Sequence, residues 1–386
     1  MITLPKADGR RFVTSSQISK SATGKAIQKT FADDFASQCG YCTPGFVVGA
    51  ASCASHEERE IEMNGHICRC TGYFPIKNAN KDAPFMDIED LADLCAACPS
   101  RKVIQNSSQS QHYFTPTSLS ELQVLMESHS SHELVAGHTS KHVSKYYRNT
   151  SNEKAPVTID ITKVAEMTAV STVGSKITIG AVASLEDLRA LFNKSALKVL
   201  NEAGRFLTKV GSVSMRHQAT WAGSLALQRA VPEFASDISV MLAALGLRLD
   251  VLDESSTRKT MSVLEFVNDS ASNLVINGTI DTTGFENVAD AVSFGKVMDR
   301  PTMAAGKLTF GFFSSARLFC SSTAGFRQID SPSTTSTEEL NKSLAAESDL
   351  LTRAELLRHY SKNSGKWCSR IVVVVVVRIK RSSEKT

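Results

Sequence analysis

The sequence predicts an α+β protein: a small helical domain, then a mixed α/β domain, then an irregular C-terminal segment. Three observations carry that prediction. Ile27, Phe31 and Phe35 recur at four-residue steps, which gives a one-sided apolar stripe between Ser21 and Ser37. Beyond residue 112, short β-branched runs alternate with helical ones. After about Val267 the patterning fades, Ser and Thr crowd residues 331–337, and a run of valines precedes a basic tail. The expected boundaries are 1–97 for the helical domain, 98–111 for a linker, 112–267 for the α/β domain and 268–386 for an atypical, disordered or degenerate segment.

Composition narrows the class. The 386 residues suit two or three domains, and 42% apolar with 21% charged residues is ordinary for a globular chain that can bury a core. A formal charge of +4 at this length makes no electrostatic case for nucleic acid. MITLPKADGRR lacks the apolar run of a signal peptide. The longest apolar run, Ile371 to Val377, is too short to cross a bilayer, so no membrane partner is expected. Nine cysteines without an export signal argue for reduced thiols in the cytoplasm rather than a disulfide framework.

In the first segment, Thr43 followed by Pro44 predicts a helix start: a hydroxyl cap, then a proline where a missing N–H costs nothing. HEEREIEM predicts a short charged helix ending at Asn64 and Gly65, and Thr71 to Pro75 a turn leading into PIKNANK. Gln105 to Gln111 is the most polar part of the linker. ELVA, VTIDI, KITIG and LRLDVL then read as strands, at 133–136, 157–161, 176–180 and 247–252. Ser184 with Asp187 three residues on predicts a capped helix. ALKVLNEAGRFL and ISVMLAALG predict two more.

The chemistry-bearing feature is a pair of cysteine pairs. QCGYCTPGFV places Cys39 and Cys42 in a C-x-x-C, and NGHICRCTGYFPI places Cys68 and Cys70 in a C-x-C. Zinc takes closed tetrahedra of such ligands, although C-x-C is tighter than its usual spacing. An iron–sulfur cluster also takes four thiolates and needs close backbone approach, which Gly40, Gly65 and Gly72 permit. Arg69 would partly offset the thiolate charge. Buried structural cysteines are the third reading.

In the second domain, ELVAGHTSKHV sets a glycine after a strand, with Thr139 and Ser140 opening a helix-like stretch, an arrangement suited to a diphosphate. It is not a G-x-G-x-x-G, so a Rossmann site is not supported. His138 and His142 stand four apart, which a solvated helix face explains.

Around all four cysteines the sequence resembles the helical 2Fe–2S domain of the xanthine dehydrogenase and aldehyde oxidase family of molybdo-flavoenzymes. The resemblance implies that Cys39, Cys42, Cys68 and Cys70 ligate one 2Fe–2S cluster and that Gln38 approaches the pterin of the molybdenum cofactor. LVAGHTSKHV is similar to the family's L-V-x-G-N-T segment, and SMRHQATWAGSLAL to its R-N-x-G-T-x-x-G-N segment. EFASDISVMLAALG is similar to the family's next stretch of chain, notably in arthropod-type aldehyde oxidases. By that similarity the segment Leu134, Val135, Ala136, Gly137, His138, Thr139 and Ser140 holds the FAD diphosphate. Thr220, Gly223 and Ser224 would form a second flavin loop, and Asp237 would reach the ribose. His138 and Ser224 stand where the family has asparagines, and the spacer from Cys42 to Cys68 is several residues shorter than usual.

The fold implied is a helical 2Fe–2S-binding domain followed by an FAD-binding domain of the molybdopterin-dehydrogenase type. The function implied is the electron-transferring part of a molybdenum-dependent oxidoreductase acting on aldehydes or N-heterocycles. Its cofactors would be the 2Fe–2S cluster and FAD, with the molybdenum cofactor supplied only through a missing or partner region. No catalytic residue is assigned. DRPTMAAGKLTFGFFSSARLF is faintly similar to the opening of that molybdenum-binding region. The expected partners are FAD and a molybdenum-binding chain or domain, with a homodimer allowed. Two alternatives stand beside this: an inactive fragment of such an enzyme, and a zinc-stabilised binding module without redox chemistry.

Overall fold

The computed structural model describes residues 12–87, 89, 112–140, 143, 157–253, 256–271 and 273–288, with strands at 292–297, 308–313, 317–322 and 325–330. The expected linker, His142 and everything after residue 330 lie outside the described residues. The chain divides into two compact units, one up to Gln109 together with Gly211–Arg216, the other from Ser110 onward.

The first unit is helical: α1 (Ser15–Ile18), α2 (Ala22–Asp33), α3 (Thr43–Ser52), α4 (His56–Met63) and α5 (Phe74–Asp82). Ser21 caps α2 by accepting a hydrogen bond from Gly24 N at 2.9 Å. The stripe on α2 buries Ile27 and Phe31 against Phe46 and Val47 of α3 and Ile76 of α5. Each such side chain removed from water contributes about 1.5–3 kcal/mol. Phe35 departs from the predicted stripe. The helix ends at Asp33, Phe35 takes a left-handed φ of 53°, and its ring is 80% exposed. The cap of α3 also differs from the prediction. Cys42 is the N-cap residue, while Thr43 Oγ1 donates to Ser37 Oγ at 2.8 Å.

The second unit holds three sheets. β1 (His112–Phe114), β3 (Val157–Asp160) and β2 (His132–Val135) form a parallel sheet in the order β1-β3-β2, with α6 (Leu119–Ser128) between β1 and β2 in the chain. After α7 (Ala165–Thr168) come β4 (Val170–Val173) and β5 (Lys176–Gly180). A run of helices comes next, including α8 (Leu185–Asn193), α9 (Lys198–Leu207), α10 (Trp221–Ala230) and α11 (Asp237–Ala244). The predicted start of α8 is a capping box, in which Ser184 and Asp187 bond each other's backbone N–H.

β6 (Arg248–Leu252), β7 (Arg258–Ser262), α12 (Val263–Asn268) and β8 (Leu274–Asp281) complete a five-stranded antiparallel sheet in the order β4-β5-β8-β6-β7. The chain past residue 267 therefore does not lose its structure where the composition suggested. β8 is the middle strand, pairing Ile280 with Ile177 on one side and Gly278 with Leu249 on the other. Its burial alternates from Ile276 to Ile280, as on a half-covered strand, after Val275 and Ile276 are buried side by side at an irregularity in the pairing with β6. Asn277 and Gly278 weaken the pattern in the sequence. A four-stranded antiparallel sheet of β9 (Val292–Val297), β10 (Leu308–Phe313), β11 (Arg317–Ser322) and β12 (Gly325–Asp330) comes last, with β10 and β11 packed on α11. The LTFGFF and RLF stretches thus belong to this sheet.

Candidate functional site: a four-thiol centre and a glycine-backed loop

The four cysteines of the first unit lie on two loops that lead into helices, Cys39 and Cys42 before α3 and Cys68 and Cys70 before α5. Both loops turn on glycines in the left-handed region, Gly40 at φ 78° and Gly72 at φ 66°, with open space where a Cβ would lie. The loops bring the thiols together across the gap rather than within each motif. Cys39 is in hydrogen-bond reach of Cys70, and Cys42 of Cys68. No disulfide joins them.

The two pairs have the same electrostatic pattern. The Tyr41 N–H, then the Cys70 thiol, lower Cys39, while donating to Cys39 raises Cys70. The Thr71 hydroxyl, 3.1 Å from Cys68 Sγ, leads the lowering of Cys68 to about 7, and burial with the Cys68 contact pushes Cys42 up to about 11. In each pair one thiol is held below the ordinary thiol range and its partner above it, and metal loading of thiols releases protons. The donor set fits a binuclear group: four soft sulfurs, two by two, with backbone N–H groups nearby and Arg69 exposed between two of them. Among the described residues, no three His, Cys, Asp or Glu side chains gather around a single metal position.

Two contributors have no counterpart in the sequence reading. Tyr73 OH accepts from Cys68 N at 3.0 Å, and Thr71 Oγ1 contacts Cys68 Sγ and accepts from Tyr73 N. Tyr73 itself holds a left-handed φ of 69°, rare for an aromatic residue, directly after Gly72. The T-G-Y after C-R-C is the available signal for this, although by sequence rules it marks only a helix start. Gln38 is exposed beside Cys39. Cys53, buried and donating to Gly49 O at 3.2 Å, stands apart from the four.

In the second unit, β2 delivers Leu134 and Val135 to the turn Ala136-Gly137-His138-Thr139-Ser140. A Cβ on Gly137 would fall 2.0 Å from the Gln218 carbonyl oxygen and 2.9 Å from Ala219 Cα. The two segments singled out in the sequence, 134–140 and 218–224, therefore meet backbone to backbone. His138 takes φ 56°, a conformation that asparagine and histidine tolerate better than most residues. Residues 139–140 are not helical in the structure, unlike the helix start expected there.

The second loop is held by a cap. Thr220 Oγ1 accepts from Gly223 N at 3.1 Å, and Trp221 Nε1 donates to Gly180 O at 2.8 Å. Ser224, which stands where the family has asparagine, spends its hydroxyl on Thr220 O at 3.1 Å and so donates into its own helix. Asp237 also departs from expectation. Its carboxylate accepts from Lys296 Nζ at 2.6 Å and from Thr309 Oγ1, and the ion pair is almost wholly buried. Both partners lie far along the chain, on strands that the sequence patterning does not reveal, so no local signal points to them. The donor set that remains, a turn carrying Thr139 and Ser140 whose Gly137 lies on the backbone just before a capped helix start, fits an anionic group.

Comparisons with known proteins agree with this division. A family model described as "FAD binding domain in molybdopterin dehydrogenase" matches residues 106–280, and one described as "2Fe–2S binding domain" matches residues 14–81. An indole-3-acetaldehyde oxidase from Arabidopsis thaliana is 28% identical over 313 residues, covering 67% of this chain and 23% of that protein. The abscisic-aldehyde oxidase of the same plant is 27% identical over 312 residues, covering 68% and 23%. The chain thus spans about a quarter of the length of these relatives. Among solved structures, a chain of carbon monoxide dehydrogenase from Hydrogenophaga pseudoflava shares the fold at 14% identity, with a TM-score of 0.50 over 69% of this chain and 94% of that one. The chain thus carries a 2Fe–2S-binding domain and an FAD-binding domain of the molybdopterin-dehydrogenase type, and across them it is similar to aldehyde oxidases.

Proposed function

We propose that this chain is the electron-transferring portion of a molybdenum-dependent oxidoreductase that acts on aldehydes or N-heterocycles. The single observation that carries the reading is the cross-loop pairing of Cys39 with Cys70 and Cys42 with Cys68, in a chain that also bears the FAD-binding domain. Cys39, Cys42, Cys68 and Cys70 would hold the 2Fe–2S cluster, and the 134–140 turn with Thr220 and Gly223 would hold FAD. When bound, the two groups supply one-electron and two-electron redox chemistry, which the protein binds and orients rather than performs.

The chain's own contributions are specific. The Tyr73 hydroxyl and the Thr71 side chain hold the Cys68 loop. Gly137 lets the 134–140 turn lie on the Gln218 backbone, and the Thr220 cap fixes the start of α10 beside it. Around the cysteine loops, Phe35, Tyr41, Ile67 and Phe74 are exposed, Tyr41 to 94% and Phe74 to 73%. Large exposed apolar side chains beside the proposed cluster site suit an interaction surface. Its occupant in this reading is a molybdenum-binding domain, on the same or another chain, consistent with the quarter-length coverage of the relatives. A cytoplasmic setting keeps the five described free thiols reduced.

The test is a visible spectrum and metal analysis of the purified chain after anaerobic reconstitution with iron, sulfide and FAD. Flavin and iron–sulfur bands with about two irons per chain support the reading. Stoichiometric zinc without colour, or a metal-free colourless product, overturns it.

A further inference from the structure

We infer that Arg59 is a positioning residue for the cluster, joining the far ends of the two helices whose near ends carry the cysteine loops. This rests on the cluster reading above. Arg59 is 2% exposed in the middle of α4. Its guanidinium donates through Nε to Ala50 O at 3.0 Å in the last turn of α3. Nη1 donates to Asn80 O at 3.0 Å and Ala83 O at 2.6 Å, and Nη2 to Pro84 O at 2.6 Å, all at the end of α5. The Phe85 ring closes over it, 4.0 Å from the guanidinium carbon. Every partner in that set is a main-chain carbonyl or an aromatic face.

The placement has an electrostatic logic. α3 begins directly after Cys42, and α5 begins four residues after Cys70, so both helices start at the thiols and end at Arg59. They run in the same sense, with their positive ends toward the thiolates and their negative ends converging on one buried cation. Helix C-termini leave carbonyls without helical partners, and Arg59 bonds four carbonyls at the ends of two elements at once. A ten-residue helix is roughly 15 Å long, so the guanidinium is remote from the sulfurs. It acts on them through the helices, by fixing where the two loops sit relative to each other.

A lysine at this position keeps the charge but cannot reach four carbonyls in the fork geometry of a guanidinium. A methionine keeps the apolar stem and loses both the charge and the fork. The experiment compares full-length wild type, Arg59→Lys and Arg59→Met after reconstitution, following cluster loss to a chelator, the midpoint potential of the cluster, and the far-UV spectrum of the apo chain. Chelation is expected to be about tenfold faster in both variants, the scale on which outer supports of metal ligands act. The potential should move to more negative values in Arg59→Met alone, because only that variant removes a cation that favours the reduced cluster. Native apo spectra with wild-type chelation rates and potentials in both variants overturn the inference. Should Arg59→Met fail to fold, the chelation rate of Arg59→Lys decides. A wild-type chain that takes up no iron overturns the cluster reading, and this inference falls with it.

Discussion

Gly137 lies so close to Gln218 that a β-carbon there would fall 2.0 Å from the Gln218 carbonyl oxygen. The obstacle is backbone, not a side chain that can swing away. Gly137→Ala should therefore force the 134–140 turn off the 218–224 segment, with a cost of about 1–3 kcal/mol, typical of overpacking. The expected result is a lower thermal midpoint together with loss of bound flavin absorbance. A Gly137→Ala chain that keeps wild-type flavin content would show that the turn does not hold FAD.

The five cysteines whose side chains are described divide four to one. Serine at position 39, 42, 68 or 70 should remove most of the iron from the reconstituted chain, because each pair needs both thiols. Cys53→Ser should leave the iron content unchanged, since Cys53 is spent on the Gly49 carbonyl. Iron analysis of the five variants checks this, and cluster retention in Cys68→Ser would sink the ligand assignment.

Lys296 and Asp237 form a buried pair, and removing one partner leaves the other charge uncompensated. Lys296→Met should destabilise the second unit by about 3–5 kcal/mol. Adding Asp237→Asn to that variant should recover part of the loss, because an amide can still bond Thr309 without a net charge. Denaturant unfolding of the wild type, the two single variants and the double variant measures the coupling.

The α12 capping box sets a small pH dependence. The Ser262 N–H and hydroxyl hold Glu265 below the ordinary glutamate range. A depressed carboxylate contributes stability that is present above its unfolded value and lost as pH falls through its folded one. Glu265 is largely exposed, so screening keeps this contribution small. Ser262→Ala should cost about 1 kcal/mol at neutral pH and flatten the acid limb of a stability-against-pH curve.

Much of the local structure is legible because it is written in nearest neighbours. Ser184 and Asp187 form the box that their spacing predicts, and HEEREIEM is helical from His56 to Met63. The strands from VTIDI to LRLDVL are visible for the same reason: side-chain alternation depends on a few adjacent residues. Phe35 shows the limit. Helical spacing includes it, but the chain turns left-handed there, and the ring leaves the core.

By itself, the sequence determined which residues carry the chemistry: four cysteines in two tight motifs and a glycine after a strand. Only the tertiary structure decided how they are used. It pairs Cys39 with Cys70 and Cys42 with Cys68, sets Gly137 on Gln218, turns Asp237 inward to Lys296 and Thr309, and makes β8 the middle of a sheet. Each of these joins residues far apart in the chain. At such separations the partner is chosen by packing and by the need to satisfy buried polar groups, and neither leaves a periodic trace in the sequence.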